Sequence, residues 1–314
     1  MINILFIGGA GFIGSNLIST FVNNSKYKVY VYEPAMANLS RLDKYENKVI
    51  ILRGGLSDSD LLSAVLNEHN IDIVVHLVST LIPGSRYEDY KKEFESVIFP
   101  TIMLMKLCAE RKTKFVYFSS GGTIYGNDIN SAFNESDPLA PISYYGLSKQ
   151  IIENSILFEN RIENLNYLIV RPSNPYGPGQ MLYANQGLIA VMIGKILAQE
   201  QIVIWGDGNS VRDYIYIDDL VDAFYQLIDN DVINEVVNVG SGEGMSVNNV
   251  IDHLKKAVGR EIDVRYENSR SVDVARMVLD ISKLNTLIKV KHTPLEIGME
   301  KFLNYIEKTV KRDA

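Results

Sequence analysis

The chain opens on a short apolar run, Ile2, Ile4, Leu5, Phe6 and Ile7, broken at once by Gly8-Gly9-Ala10-Gly11-Phe12-Ile13-Gly14. Such a run predicts a strand buried on both faces of a parallel sheet. Beyond the glycines, Leu17, Ile18 and Phe21 recur at helical spacing. The alternation repeats through the first half of the chain. Strands are predicted at about 2–7, 28–32, 48–52, 72–77, 114–118 and 166–171, with helical patterns between them, the longest at about 87–111. That rhythm implies βαβ crossovers and an α/β fold with a doubly wound parallel sheet. After Arg171 it changes. Pro172, Pro175, Gly177, Pro178 and Gly179 exclude helix and central strand, and shorter elements follow. A smaller, interleaved α/β C-terminal lobe is expected to close over the carboxyl ends of the strands, where such sheets bind ligands. The expected division puts 1–171 and about 211–240 in the larger domain, and 172–210 with 241–314 in the smaller lobe.

Position gives the glycines their chemistry. They lie between a strand and a helix, where the backbone can turn tightly and approach a pyrophosphate. The following helix aims its first N–H groups and its positive dipole end at the phosphates. This is the Rossmann-like arrangement for a dinucleotide. Glu33 ends the second strand, 19 residues past Gly14. An acid at that spacing accepts the ribose hydroxyls of NAD and repels the extra phosphate of NADP.

A second pattern is Tyr145-Gly146-Leu147-Ser148-Lys149, at the start of a helix predicted at about 142–160. Residues four apart share a helix face. A nearby ammonium favours the phenolate and lowers the phenol's pKa, which makes tyrosine a usable base. The pair follows a strand that ends in Ser119-Ser120-Gly121-Gly122-Thr123-Ile124-Tyr125-Gly126, which supplies hydroxyl donors.

Composition narrows the rest. A net charge of -7 with no Lys/Arg stripe argues against nucleic acid. The single cysteine, Cys108, cannot pair within the chain and reads as inert core, which fits a reducing cytoplasm. The apolar start lacks a basic leader and is broken by glycine. No run of about 18 apolar residues predicts a membrane span. No metal site is expected.

Taken in order, these segments resemble the extended short-chain dehydrogenase/reductase family, and more closely its NAD-dependent UDP-hexose (UDP-glucose / UDP-N-acetylglucosamine) 4-epimerases. The family's Gly-x-x-Gly-x-x-Gly matches Gly8, Gly11 and Gly14. His76-Leu77-Val78 is similar to its fourth-strand end. Arg171-Pro172-Ser173-Asn174-Pro175-Tyr176-Gly177-Pro178 resembles its Arg-Pro-x-Asn-x-Tyr-Gly-Pro loop. Gly206-Asp207-Gly208 with Arg212-Asp213-Tyr214, and Arg270 with Asp273, resemble its later motifs.

The resemblance implies that Tyr145 is the acid/base at a sugar hydroxyl. Lys149 binds the nicotinamide ribose and tunes Tyr145, and a hydroxyl of the Ser119–Thr123 stretch bonds the same sugar oxygen. Aligned on Tyr125-Gly126 the familiar hydroxyl position falls on Gly121, but the family's usual separation of 25 residues before Tyr145 falls on Ser120, so Ser120 is preferred for that role and Thr123 is the fallback. NAD contacts would come from Gly8, Gly11, Phe12, Ile13, Gly14, Glu33, Leu56, Leu77, Val78, Ser79, Tyr145, Lys149 and Pro172. The UDP-sugar would be met by Thr123, Asn174, Trp205, Arg212, Arg270 and Asp273. For Trp205, a uracil contact and plain core packing stand level. Two departures are visible. Gly55 replaces an Asp that commonly touches adenine, and Val97 stands where a helix Asn is frequent.

Dehydratases of the family carry an Asp-Glu pair after the hydroxyl residue, and decarboxylases a nearby Glu. This chain has Gly121-Gly122 there. Epimerisation of a UDP-hexose through a 4-keto intermediate is therefore expected. Another nucleotide-sugar enzyme of this fold (decarboxylase, dehydratase or reductase) and a non-catalytic dinucleotide sensor remain alternatives. Met277, seven residues after Arg270, does not decide which sugar. Helical patterns at 97–109 and 142–158, apolar over much of their circumference, lead us to expect a homodimer.

Overall fold

A computed structural model describes residues 1–127, 132–184, 186–269 and 274–313. The chain runs β1 (Ile2–Ile7), α1 (Phe12–Phe21), β2 (Tyr27–Glu33), β3 (Val49–Arg53), α2 (Ser59–Glu68), β4 (Ile73–His76), α3 (Tyr87–Glu93), α4 (Phe99–Arg111), β5 (Lys114–Phe118), α5 (Tyr144–Glu163) and β6 (Tyr167–Pro172). It continues with β7 (Asn174–Tyr176), α6 (Leu188–Leu197), β8 (Ile202–Trp205), β9 (Val211–Tyr216), α7 (Ile217–Asp229) and β10 (Glu235–Val239). Last come β11 (Gly244–Ser246), α8 (Val247–Val258), β12 (Val264–Glu267), β13 (Arg276–Met277), α9 (Ser282–Leu287) and α10 (Leu295–Asp313).

The principal sheet has seven strands in the order β10-β6-β5-β4-β1-β2-β3. The strand order reverses between β1 and β4, which pair in parallel with Ile7 opposite His76. A crevice at the carboxyl ends of such strands is the expected ligand position. The six predicted strands stand within a residue or two of where they were expected, and the sheet is the doubly wound parallel one. The chain falls into two compact units. The first comprises Met1–Ile124, Pro141–Arg171 and Phe224–Val237. The second comprises the described residues of Tyr125–Ala140, Pro172–Ala223 and Asn238 onward. This differs from the expected division at two places: 125–140 and 211–223 belong to the second unit. The reason is pairing. β9 lies between β11 and β13 and also pairs with β7, in a sheet of its own.

In the first unit, Leu5, Ile7, Tyr30, Val74, Phe115 and Ile169 on the strands pack against Leu62, Met105, Cys108, Ile152 and Ile156 on the helices. Cys108 is fully buried, and burial pushes its thiol pKa up. The long pattern at 87–111 is one helical run interrupted by a π turn, Phe94–Ile98, in which Phe99 N–H bonds the carbonyl of Phe94 five residues back. Pro100 follows directly and has no N–H to complete the ordinary ladder there. The second unit has its own core of Tyr176, Ile189, Ile193, Tyr214, Tyr216, Val250, Leu254 and Phe302, among others. Among the described residues, no helix is long and apolar enough to cross a membrane, and no cluster of His, Cys, Asp and Glu could hold a metal ion.

Candidate active site

In the first unit the ends of β1, β2, β3 and β4 surround a cleft of about 370 Å3. Gly8, Gly11, Glu33, Leu56, Leu77, Val78 and Ser79 all line it. Backbone demands fix the glycines. Gly8 has φ +80, and a Cβ on it would meet Val78 Cγ2 at 3.0 Å. A Cβ on Gly14 would lie 2.6 Å from Gly9 O, so α1 can pack on the β1 turn only without one. No side chain caps α1 and no acid lies in its first turn, which leaves the N–H groups around Phe12, Ile13 and Gly14 to an external anion. A cradle of this kind fits a dinucleotide pyrophosphate.

Glu33 sits at the rim of the cleft, buried, with Oε1 accepting from Ala10 N–H at 2.6 Å. Burial pushes its carboxyl pKa up, against the Ala10 hydrogen bond and Arg53. Sequence reasoning passed over Pro34, Ala37 and Asn38, which also line the cleft. Their only signal was their place just after the acidic end of β2. At Gly55 an added Cβ would meet nothing within 4 Å, and the Gly55 carbonyl accepts from Tyr32 Oη at 3.0 Å.

The acid–base group is also in the first unit. Ser143 caps α5, accepting from Gly146 N–H at 3.1 Å, so the helix starts at Tyr144 rather than near 142. Gly146 is needed there, since a Cβ would lie 2.6 Å from Thr123 O. This close approach brings Tyr145 to the end of β5, where the Ser120 side chain acts on its hydroxyl. Lys149, one turn on, donates to Phe118 O at 3.0 Å and lies 5.5 Å from the Tyr145 ring centre. Thr123 Oγ1 is buried with no partner among the described residues.

Burial pushes the Tyr145 hydroxyl up to about 12, with Ser120 pulling it down and Glu93 pushing it further up. Burial also pulls the Lys149 ammonium down to about 8, against the charges of Glu93 and Glu153. Exclusion of water is thus the largest influence on the phenol, and Ser120 favours the phenolate.

His76 is buried and held neutral, at about 3. Its Nε2 lies 3.0 Å from Thr101 Oγ1, whose own proton goes to Val97 O at 2.6 Å, so Nε2 carries the ring proton. Val97 therefore joins this network through its carbonyl. Glu93, buried beneath the cleft wall, had no sequence signal; Lys91, Lys92 and Glu95 around it read as a solvated helix face.

In the second unit β7 pairs with β9, and Asn174 Nδ2 donates to Asp213 O at 2.8 Å. Asp213 itself is buried and accepts from Ser241 N–H at 2.9 Å and from Gly242 N–H at 3.2 Å, which fixes the glycine loop beside β9. Arg212 pairs with Met277 across β9 and β13, and Met277 is buried. Trp205 ends β8 and is 46% exposed, so core packing does not account for it. Pro172 ends β6. Arg270 and Asp273 lie outside the described residues.

The NAD dependent epimerase/dehydratase family profile matches residues 4–240. A Methanocaldococcus jannaschii protein provisionally named a UDP-glucose 4-epimerase is 30% identical over 305 residues, 97% of this chain and 98% of that one. An Escherichia coli dTDP-4-dehydro-6-deoxyglucose reductase is 30% identical over 308 residues, 96% of this chain and 97% of that one. The solved structure of a Thermotoga maritima UDP-glucose 4-epimerase with UDP-glucose superimposes with TM-score 0.91 at 29% identity, covering 98% of this chain and 100% of that one. Solved relatives at 27% and 25% identity hold NAD. The glycine cradle, the acid at the end of β2 and the Tyr145–Lys149 pair agree with that likeness, and the chain belongs to the NAD-dependent epimerase/dehydratase family.

Proposed function

We propose that the protein is a nucleotide-sugar 4-epimerase acting on a UDP-hexose. What supports this is the placement of Ser120 by the Tyr145 hydroxyl at the end of β5, with Gly121 and Gly122 following the serine. The arrangement offers one base and one hydroxyl, and no acid follows the serine to eliminate water. Tyr145 as phenolate takes the proton of the sugar 4-hydroxyl, and Ser120 donates to the same oxygen. Bound NAD supplies a hydride acceptor that later returns the hydride, along with a positive charge that favours the phenolate. Lys149 holds the nicotinamide ribose. Glu33 accepts the adenosine ribose hydroxyls and disfavours NADP. Arg212 and Asn174, with Arg270, bind the diphosphate, since guanidinium matches phosphate oxygens bidentately. Trp205 offers an exposed ring to the uracil.

A reductase reading draws on the E. coli relative, and Glu33 weighs against it only as far as such an enzyme needs NADP. Product analysis by NMR after incubation with UDP-glucose, UDP-N-acetylglucosamine and UDP-glucuronic acid tests the assignment. A 4-epimer from one of them supports it; loss of water, loss of carboxyl or net reduction overturns it.

We further propose a homodimer through α4 and α5. Phe99 is 57% and Phe158 49% exposed, and Phe94, Met103 and Ile162 are exposed beside them. Contiguous exposed apolar side chains on neighbouring helices favour a protein partner.

A further inference from the structure

Glu93 is the last residue of α3 and is 1% exposed. A carboxylate removed from water in this way requires hydrogen bonds and an opposite charge. The corner after β4 supplies the hydrogen bonds. Ser79 Oγ donates to Oε1 at 3.0 Å, Thr80 N–H donates to Oε2 at 2.9 Å, and the Thr80 hydroxyl also donates to Oε2. All three donors are neutral. Ser79 lines the dinucleotide cleft, so the carboxylate holds part of that cleft's wall.

The packing of α3 on α5 supplies the charge. Tyr90, a turn before Glu93, stacks on Tyr144 with ring centres 5.2 Å apart, next to Tyr145 in sequence. The groups that face the Lys149 ammonium come from four elements besides its own helix. Among the described residues they are Glu93 from α3, Phe118 O at 3.0 Å and the Tyr117 ring centre at 5.0 Å from β5, neutral His76 from β4, and, paired with Glu153, Arg171 from β6. On α5 itself lie Tyr145 and Glu153. Glu153 is spoken for: Arg171 Nη2 reaches it at 2.6 Å and Arg171 Nε at 3.0 Å. Among the described residues Glu93 forms no ion pair in contact, so it acts on Lys149 as a buried charge at longer range.

We propose that Glu93 is a positioning residue, the buried counter-charge of the Lys149 ammonium and the clamp that fixes the Ser79–Thr80 corner of the dinucleotide cleft. It rests on the reading of Tyr145 and Lys149 as the acid–base pair. The charge acts on both members of the pair in the same direction: it keeps the proton on Lys149 and on Tyr145.

The test is the titration of Lys149 in protein labelled at lysine Cε, followed by NMR on the protein as purified, with the resonance assigned by its loss in Lys149→Met. Glu93→Gln removes the charge and should move the Lys149 midpoint to lower pH by about half a unit or more. Glu93→Asp keeps the charge and should restore most of that shift. Thr80→Val weakens the clamp alone. It should leave the midpoint in place while weakening NAD binding several-fold by calorimetry. An unmoved midpoint in folded Glu93→Gln, or a shift in Glu93→Asp as large as in Glu93→Gln, overturns the proposal. Should Glu93→Gln fail to fold, the Asp and Thr80→Val variants decide it by the same readouts. None of these readouts uses a sugar, so an error in the proposed substrate leaves them intact and shows separately, in the product analysis.

Discussion

Ser120 acts on the Tyr145 hydroxyl although the two come from different elements, the end of β5 and the first turn of α5. Only the absence of a side chain at Gly146 allows that approach. Ser120→Ala should therefore lower kcat by about 10²-fold, in the range of a positioned proton-transfer partner, and Thr123→Ala by much less. Steady-state rates of the two variants check the choice between the hydroxyls. A larger loss at Thr123 would reverse it.

Tyr145→Phe should abolish turnover, by at least about 10²-fold, and leave NAD bound. The hydroxyl serves the reaction, while the ring keeps its packing. Single-turnover rates with the bound nucleotide quantified give both numbers.

NAD retention should decline as pH rises past about 8, because Lys149, the proposed ligand of the nicotinamide ribose, is an ammonium below that value and loses its charge above it. The effect of the same group on stability has the opposite sign. Its folded pKa lies below the ordinary 10.5, so between about 8 and 10.5 the unfolded chain binds the extra proton. Through that window this group's contribution to stability rises with pH. Bound nucleotide and thermal melts measured from pH 7 to about 10, compared with Lys149→Met, separate the two.

Replacing Arg212 by Ala should weaken UDP binding roughly 10- to 150-fold, equivalent to about 1.5–3 kcal/mol for a lost charged hydrogen bond, and leave NAD retention unchanged. Calorimetry with UDP alone is sufficient, since the contact is to phosphate. Unchanged UDP affinity would remove the second unit from the assignment.

The apolar face of α4 and α5 predicts a dimer in sedimentation at micromolar concentration. Phe99→Glu with Phe158→Glu should shift it to a monomer near 35.3 kDa. A wild-type monomer would contradict the homodimer.

Much of the first unit was legible because its signals are local. Apolar runs of five or six residues read as buried strands, and the glycines between β1 and α1 can be placed from their neighbours alone. Tyr145 and Lys149 are legible because helical spacing puts them on one face. The hydroxyl partner was legible only as a choice between two, since it depends on how closely α5 approaches β5. The assignment of β9 failed for a similar reason: its pairing with β7, β11 and β13 joins segments far apart in sequence. Glu93 was invisible, because a carboxylate among lysines looks solvated until tertiary packing buries it. The burial around Tyr145 was not legible either, because the spacing of Tyr145 and Lys149 does not reveal it.

Epimerisation at C4 by a nucleotide that the protein retains should leave its mark on the C4 hydrogen. Purified protein, without added NAD, is incubated with UDP-glucose, UDP-N-acetylglucosamine and UDP-glucuronic acid, each deuterated at C4. A 4-epimer of one of them should form with the deuterium still on C4 and none lost to water. Formation of no 4-epimer from any of them, or of one with the label replaced by solvent hydrogen, would rule out the proposed reaction.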